Sequence, residues 1–397
     1  MVFIRPIVAI LIIFAICWLF SFDRKTVPKY LKKVGFLFIL ELLVCFVLLH
    51  TTFGTIILKT IAAGFVQLMK YAAVGIEFVF KEPVAKSGTL QAFLFQGLLP
   101  MVFICSLIGI LKYFGILQFI IRIFGLLFNK LLHLGEVESY TAVSSLILGM
   151  TPVYVSLKDI LYKLDKRTMY TIGAMTLSTV DLTVIGAYMK MVPPKFVIIG
   201  IFLNMIGVFI ITTLINPYTP GEFDLKVKQT DEEKKGFFDT LLEYTQDGFN
   251  VVLSIIPMLL AFISLIALLN GISSWLTGNS LQNWLGIAIS PLAYLMGVDW
   301  ADATKVGGIM MTKLLTNEFV AMTDLTKISS TISTKSLGII SVFLISFSNF
   351  ASVGMIVAVV STLNKEMASV LSNNLLKLLL GSFLVSCLSA TVVGIFI

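Results

Sequence analysis

Long apolar runs separated by short charged segments dominate this chain. A helix that crosses the hydrocarbon core of a bilayer needs about 20 predominantly apolar residues. Runs of this kind predict about eight membrane-spanning helices, at residues 6–22, 34–58, 87–111, 168–191, 196–221, 248–269, 336–364 and 378–397. The pattern therefore predicts an all-α polytopic membrane protein.

Two stretches differ from these runs. Residues 54–82 mix apolar positions with Lys, Gln and Glu, which is typical of a helix lying partly in the membrane interface. Residues 222–247 begin with a dense charged segment and predict a solvent loop followed by a short amphipathic helix. The predicted units are N-terminal scaffold helices with an interfacial helix at 1–85, a first repeat at 86–217, a cytoplasmic or interfacial linker at 218–247 and a second repeat at 248–397.

The segment behind the first apolar run predicts the orientation of the chain. Residues 23–33 carry five basic side chains against the single acid Asp23. Short loops with an excess of Lys and Arg face the cytoplasm, which places the N-terminus outside. No small-residue cleavage site follows the run, so we expect an uncleaved first helix rather than a signal peptide.

Each half of the chain contains an apolar segment that is interrupted in its middle. In the first, at about 138–167, the interruption falls at Gly149 and Pro152. In the second, at about 303–330, it falls at the acid Glu318 and the asparagine before it. Each arm is too short to cross a bilayer. The two segments therefore predict a pair of re-entrant helical hairpins.

Both predicted hairpins are followed by a helix with polar residues at mid-depth, at 178–181 and at 348–352. Interrupted segments at corresponding positions of two halves point to a transporter's binding site near the middle of the bilayer. Unwound backbone at that depth is tolerated only inside protein or beside a wet cavity. The alternative is that Gly and Pro merely kink ordinary spanning helices.

Composition agrees with a membrane protein and excludes other classes. Hydrophobic residues make up 58% of the chain and charged residues 13%, where a soluble domain carries about 25% charged residues. The net charge of +7 lies in short clusters rather than on one basic face, which excludes a nucleic-acid partner. The four cysteines lie in apolar runs and are predicted to be free thiols facing lipid or neighbouring helices. An intramembrane enzyme is disfavoured because His50 and His133 have no ligand spacing around them, and no cofactor or metal is expected.

Residues 313–322, Lys-Leu-Leu-Thr-Asn-Glu-Phe-Val-Ala-Met, carry a recognisable motif. The segment resembles the Lys-x3-Asn-Glu-Phe-Val-Ala pattern of the concentrative nucleoside transporters, although Met311 stands where that family has Gly or Ala. The resemblance continues through 338–354 and, in the first half, through 138–149 and 185–189. It covers most of the chain and is closest to the bacterial eight-helix branch.

The resemblance implies an architecture and a set of partners. Two re-entrant hairpins belong to an inverted repeat, and one nucleoside site lies between them. The protein is then expected to be a homotrimeric, elevator-type symporter in the bacterial inner membrane, with a nucleoside and a coupling proton or Na⁺ as its ligands. A channel, or a facilitator with uncoupled flux, stays open as an alternative.

The resemblance also implies a ribose site in the second half. Carried onto this sequence, the acid is Glu318, next to Asn317, and its partners are Asn349 and Ser352. The chemistry is suitable, since a carboxylate accepts two hydrogen bonds from vicinal hydroxyls in a bidentate manner. The alternative for Glu318 is a structural ion pair with Lys313.

The tip of the first hairpin departs from the family pattern. Relatives have Gly-Gln-Thr-Glu or Gly-Gln-Ser-Glu there and contact the nucleobase with it, whereas this chain has Gly149-Met150-Thr151-Pro152. Only Thr151 keeps its residue type. Met150 and Pro152 can pack on the face of a base but cannot hydrogen-bond its edge.

An acid elsewhere in the first half, Asp181, is our hypothesis for the missing base-reading group. A carboxylate complements two adjacent donors, which guanine offers as N1–H and the 2-amino group. Uracil and cytosine lack such a pair, so purine nucleosides such as guanosine and inosine are favoured over a broad specificity. The predicted nucleobase residues are Gly149, Met150, Thr151, Asp181, Val184 and Phe347. The alternative is that Asp181 caps unwound backbone or bonds Thr179 or Thr183.

The coupling ion is predicted from the same residues. Where Na⁺-coupled relatives have an Asn four residues before the tip glycine, this chain has Ser145, a weaker ligand. Thr179 is a further oxygen donor nearby. Because a membrane-buried Asp181 or Glu318 can instead carry a proton, proton symport is favoured and Na⁺ symport is the alternative.

Overall fold

The structure is a computed structural model that describes residues 4–80, 93–132, 135–158, 160–221 and 236–397. These parts consist of helices and connecting turns without strands, so the predicted all-α class is confirmed. The charged segment at 222–235, residues 87–92 of one predicted span, and His133 lie outside the described residues.

The first half begins with three helices, α1 (Ile4–Leu19), α2 (Val27–His50) and α3 (Thr52–Phe80). A π-helical turn at Phe93–Leu98 leads into the next helix. The next helices are α4 (Pro100–Tyr113), α5 (Ile116–Leu132), α6 (Glu136–Leu148), α7 (Met150–Ser156), α8 (Lys166–Ser178), α9 (Leu182–Met191) and α10 (Pro194–Ile215).

The second half continues the helical series. Its helices are α11 (Phe237–Thr277), α12 (Leu281–Leu295), α13 (Trp300–Leu315), α14 (Glu318–Ile328), α15 (Thr334–Leu344), α16 (Phe350–Leu363), α17 (Lys365–Asn373) and α18 (Leu375–Phe396). Within the described ranges, 7 segments are long and apolar enough to cross a membrane, or 8 if the bent pair α12–α13 is one span. The number agrees with the predicted eight or so, but the members differ, since α1, with 16 residues, is among the shorter apolar helices and the span predicted at 6–22 is not one of the seven.

Several predicted boundaries are wrong, each for a local reason. The span predicted at 34–58 ends at His50, because Thr51 is extended and its hydroxyl accepts the N–H of Gly54 at 3.0 Å. The following helix, predicted to lie in the interface, has the length and apolar content of a span. The predicted single span at 336–364 is two helices with a break between them.

The helix around residue 260 is much longer than the predicted span at 248–269, with 41 residues in α11. In the described part of the predicted linker, from residue 236 onwards, the long helix itself begins at Phe237 in place of a separate short amphipathic helix. Asn270 does not end the helix, because its side chain donates to Gln282 Oε1 at 2.8 Å and accepts from the Gln282 N–H at 3.0 Å. The chain turns only at Gly278, whose φ is +77°.

The order of elements recurs in the two halves. A hairpin (α6–α7 or α13–α14) is followed by a broken helix (α8–α9 or α15–α16) and then by a long apolar helix (α10 or α18), which in the second half comes after the short α17. The breaks fall at 179–181 and 345–349, where the sequence predicted polar notches. The two predicted hairpins therefore exist, with arms shorter than a membrane span.

Helices α2, α10 and α18 form a buried core beside the broken helices. This core contains an acid, Glu41, which is 0% exposed and accepts the Ser389 hydroxyl at 3.3 Å. All four cysteines are buried as free thiols, in agreement with the prediction that they face neighbouring helices.

Candidate functional site

The tip of the first hairpin lies against the break in the helix that follows it. Gly149 joins α6 to α7 with a φ of +93° and a ψ of 171°, a conformation that only glycine adopts without strain. Its N–H donates to the Ser145 carbonyl at 3.1 Å. A Cβ at Gly149 would stand 3.1 Å from Oδ2 of Asp181, so the backbone of the tip approaches this carboxylate closely.

Asp181 is the N-cap of α9. Its Oδ1 accepts the N–H of Thr183 at 2.9 Å and also the Thr183 hydroxyl, while Oδ2 faces Gly149. Oδ1 of Asp181 therefore has the capping role that was the alternative to reading the base. The cap satisfies one of the helix N–H groups that a break in the helix leaves without partners.

The two hydroxyl candidates for a coupling ion, Ser145 and Thr179, lie together. The Thr179 hydroxyl oxygen is 3.0 Å from Ser145 Oγ and 3.1 Å from the Met175 carbonyl oxygen. Ser145 in turn donates to the Ala142 carbonyl at 3.1 Å. Both oxygens are buried, so the first repeat presents a small oxygen-rich cluster behind the hairpin tip.

Glu318 lies at the tip of the second hairpin, in the first turn of α14. Asn317 caps this helix by accepting the N–H of Val320 at 2.9 Å. Glu318 itself is only 4% exposed. Its Oε1 accepts the hydroxyl of Tyr188 at 2.9 Å, and its Oε2 accepts the side-chain amide of Asn349 at 3.0 Å. The N-terminus of a helix also favours a negative charge at this position.

The break in the second repeat is organised by Asn349. This residue caps α16 by accepting the N–H of Ser352 at 2.7 Å and uses its amide group to hold Glu318. The structure therefore joins the acid, the amide and the serine that the resemblance assigned to the ribose. Asn317 is placed beside them, with its side chain engaged in capping.

Lys313 is engaged elsewhere than with Glu318. Its Nζ donates to the Phe343 carbonyl at 2.5 Å, to Ser346 Oγ at 2.6 Å and to Ser386 Oγ at 3.3 Å. The hydrogen bonds of the Lys313 ammonium group thus go to the α15 end and α18, not to the Glu318 carboxylate. The lysine instead binds the C-terminal end of α15, where helix carbonyl groups lack intrahelical partners and the helix dipole favours a cation.

The nucleobase candidates lie on elements that meet at the hairpin tips. Val184 is buried one turn beyond Asp181, and Phe347 is buried in the break between α15 and α16. Met150 is buried and Thr151 is exposed at the start of α7. Each hairpin contacts the broken helix of the other repeat. Helix α7 of the first hairpin contacts α16, and α14 of the second hairpin contacts α9.

Tyr188 was not among the residues predicted from the sequence. This residue is 0% exposed, and its ring packs edge-to-face on Phe319 with the centroids 5.1 Å apart. A signal was available, since Tyr188 lies seven residues after Asp181 and four after Val184, on the same face of α9. The sequence could not show that this face reaches the acid of the other repeat.

Comparisons with protein families now decide the identity of the chain. Family models match residues 8–83 (Na⁺ dependent nucleoside transporter N-terminus), 94–195 (Nucleoside recognition) and 196–394 (Na⁺ dependent nucleoside transporter C-terminus). The chain belongs to the concentrative nucleoside transporter family. It is therefore a nucleoside transporter rather than an enzyme, and a multi-pass protein of the bacterial inner membrane, as predicted.

Individual relatives agree with this family. The purine nucleoside transport protein NupG of Bacillus subtilis is 34% identical over 400 residues, which cover 100% of both chains. The nucleoside permease NupC of Helicobacter pylori is 25% identical over 98% of this chain and 97% of its own. The structure of CNTnw in an inward-facing substrate-bound state superposes with a TM-score of 0.92 at 24% identity, covering 100% of this chain and 98% of the other. The transporter fold is thus the same.

Proposed function

We propose that the protein is a proton-coupled symporter that imports purine nucleosides such as guanosine and inosine by an elevator-type movement. The observation that supports it best is Glu318, a buried acid at a hairpin tip that both broken helices contact through Tyr188 and Asn349. A polar ligand halfway through the membrane requires such a group, because water is not available there to satisfy it.

The ribose is assigned to Glu318, Asn349, Ser352 and the adjacent Asn317. The carboxylate accepts the two hydroxyls of a vicinal diol, and the capping amide keeps the acid in place. The buried position of Glu318 strengthens these hydrogen bonds, since the local dielectric constant is low.

The base is assigned to the first repeat together with Phe347 of the second. Oδ2 of Asp181 faces the backbone of Gly149, so a base edge entering beside the tip would meet a carboxylate oxygen there. Met150, Thr151, Val184 and Phe347 complete the proposed base site. A relative 34% identical to this chain is named a purine nucleoside transport protein, which supports the same preference.

Proton coupling is assigned to Glu318 or Asp181, the acids that the two halves bring to the site. The second candidate is Na⁺ coupling, possible at Ser145 and Thr179, whose hydroxyl oxygens lie 3.0 Å apart. The family models that match are described as Na⁺ dependent, which also supports this second candidate. A proton is preferred because two hydroxyls without an amide carbonyl are weak Na⁺ ligands.

The proposed movement carries the two hairpins and broken helices past α3, α4 and α11, in a homotrimer. Uptake of inosine into vesicles tests the substrate and the ion together. We expect guanosine to compete with inosine, uridine and cytidine to compete weakly, and accumulation to follow a pH gradient without Na⁺. Accumulation that needs Na⁺ at matched pH on both sides would reject proton coupling.

The role of Asp181 has its own matched pair of variants. Asp181→Asn keeps the helix cap but removes the carboxylate, and we expect it to abolish the preference for guanosine over uridine. Asp165→Asn is the control, because Asp165 also caps a helix, α8, by accepting the Thr168 N–H at 2.7 Å. Equal competition by uridine and guanosine in the unmodified protein would disprove the purine assignment.

A further inference from the structure

A third buried acid, Glu41, lies on α2, outside both hairpins. It is 0% exposed and belongs to the core that α2 forms with α10 and α18. Its Oε1 accepts the Ser389 hydroxyl at 3.3 Å, whereas its Oε2 is buried without a hydrogen-bond partner. An acid inside a membrane protein is costly unless it is paired or functional, so this half-satisfied carboxyl group calls for a role.

The surroundings of Glu41 provide no positive charge. Among the residues that the structure describes, no lysine, arginine or histidine forms an ion pair with it. Its neighbours are the titratable thiol of Cys45, one turn along α2, the Ser389 hydroxyl, and Gly207 of α10, where a Cβ would lie 3.4 Å from Oε1. The first charged residue of α3, Lys59, is exposed. Because an ionised carboxylate with one hydroxyl donor is costly in such a core, Glu41 keeps its proton in this conformation.

A proton on Glu41 also supplies a donor that this core lacks. Asn204 lies on α10, one turn before Gly207, and its buried Oδ1 has no hydrogen-bond partner either. The amide group of Asn204 donates to the carbonyl of Ile345, in the break of the second repeat. An ionised Glu41 would attract that amide group, whereas a protonated Glu41 leaves it on the break.

A row of serines on α18 leads from Glu41 to the same break. Its members are 0% exposed and follow one another at intervals of one helical turn: Ser382, Ser386 and Ser389. The last donates to Glu41, and the first two share hydrogen bonds of 2.8 Å with Ser348 and 2.7 Å with Ser346. Lys313 also reaches this row, at 3.3 Å from its middle member. Because hydrogen bonds in a chain polarise one another, a change of charge at Glu41 is felt at the break.

We propose that Glu41 carries the coupled proton of transport. This inference rests on the proposed proton symport, and it names a carrier other than Glu318 and Asp181, which already accept hydrogen bonds from protein donors at the nucleoside site. An O–H bond forms at Oε2 with a proton from the outer side of the membrane and breaks on the inner side, and no electrons are exchanged. Protonation keeps the Asn204 amide on the break that carries Asn349, and thereby raises the affinity for the nucleoside. By linkage, the nucleoside raises the affinity for the proton by the same factor.

The experiment measures the inosine affinity of the purified full-length protein as a function of pH. In the unmodified protein we expect the affinity to fall as the pH rises, by on the order of tenfold, which is the size of a typical coupling between two ligands. Glu41→Gln is neutral at every pH, so its affinity should stay high at every pH. In vesicles this variant should still exchange inosine for inosine, but a pH gradient should no longer drive accumulation.

Glu138→Gln is the matched control. Glu138 is also a buried acid, with one oxygen that accepts the Tyr218 hydroxyl and an Oε2 that has no partner. We expect this variant to keep both the pH dependence of binding and the accumulation driven by a pH gradient. A loss of coupling in Glu41→Gln alone then separates the carrier role from the general effect of neutralising a buried acid.

Ser389→Ala tests the same site while keeping the acid. It removes the only hydrogen-bond donor of the Glu41 carboxylate, so the midpoint of the pH dependence should move to higher pH. This variant decides the matter if Glu41→Gln does not fold.

The outcomes separate the two levels of the proposal. A pH dependence that persists in Glu41→Gln, an equal loss in Glu138→Gln, or an unchanged midpoint in Ser389→Ala would overturn the assignment to Glu41 and leave proton symport intact. Accumulation by the unmodified protein that ignores the pH gradient and needs Na⁺ would overturn both.

Discussion

At the scale of single residues, the site depends on one acid with two protein donors. We expect Glu318→Gln to reduce inosine uptake by at least 100-fold, because two hydrogen bonds to a charged group of about 1.5–3 kcal/mol each are lost or weakened. Uptake into cells, normalised to the amount of protein in the membrane, measures the effect. Glu366→Gln, at an exposed acid in the first turn of α17, is the control. Intact uptake in a folded Glu318→Gln protein would contradict the ribose assignment.

The glycine at the first hairpin tip gives a second prediction at this scale. Gly149→Ala places a Cβ 3.1 Å from Asp181 Oδ2 and forces a side chain into a glycine-only region of backbone conformation. Such strain costs about 1–3 kcal/mol. We therefore expect lower nucleoside affinity together with a lower midpoint of thermal unfolding. Gly125→Ala on α5, whose nearest neighbours are 3.9 Å away, should lower neither the nucleoside affinity nor the midpoint of unfolding.

The sequence predicts some of these residues and not others, for physical reasons. Glu318 and Asn349 were identified through the resemblance to the nucleoside transporters, and the cost of an acid inside an apolar run without a role agrees with it. Tyr188 was missed because an amphipathic tyrosine on an apolar helix is ordinary in a core. The double role of Asp181, which caps a helix and faces the tip, depends on a tertiary contact that spacing alone does not give.

At the scale of elements, the breaks in the two helices have the same local chemistry. Asp181 and Asn349 each accept an N–H from the first turn of the helix that follows. The sequence predicted a polar notch at both places but kept 336–364 as one span. An Asn is a strong N-cap, yet within an apolar run it also fits a continuous helix, so hydropathy alone could not locate the break.

The contact between α12 and α13 gives a prediction about packing. A Cβ added at Gly286 would lie 2.3 Å from the Thr304 carbonyl oxygen, a backbone atom that cannot move without shifting α13. Gly286→Ala should therefore separate the two helices and destabilise the protein by about 1–3 kcal/mol. Thermal unfolding in detergent measures the loss.

Gly35→Ala in α2 is the control for Gly286→Ala. Among the described residues, no neighbouring atom outside the helix's own backbone lies within 4 Å of a Cβ added there. Alanine is a better helix former than glycine by about 0.5–1 kcal/mol, so this variant should unfold at the same or a higher temperature. An equal drop in both variants would mean that the close α12–α13 contact does not limit stability.

At the scale of the whole molecule, the membrane class and the repeat follow from the sequence because hydropathy and helix length act over about 20 residues at a time. The packing partners of each helix do not follow from it, since lipid-facing and protein-facing helices are almost equally apolar. Two kinds of contact matter for the proposed movement: contacts within the static helices, and contacts between a static helix and a moving one. Helix α4 packs on α11, and α9, which carries Tyr188, packs on α3 and α4.

Crosslinking of engineered cysteine pairs across these contacts tests the elevator proposal. Gly186 on α9 lies beside Ile104 of α4, since a Cβ there would be 3.4 Å from Ile104 Cδ1. A short, cleavable thiol crosslinker that joins Gly186→Cys to Ile104→Cys should stop inosine uptake until it is cleaved, because it connects the moving and static groups. A disulfide formed by Ser106→Cys with Thr245→Cys, whose hydroxyl oxygens are 2.7 Å apart on α4 and α11, should leave uptake intact. Both pairs are placed in a background without the four native cysteines. Full uptake with the first pair crosslinked would mean that α9 does not move past α4 during transport.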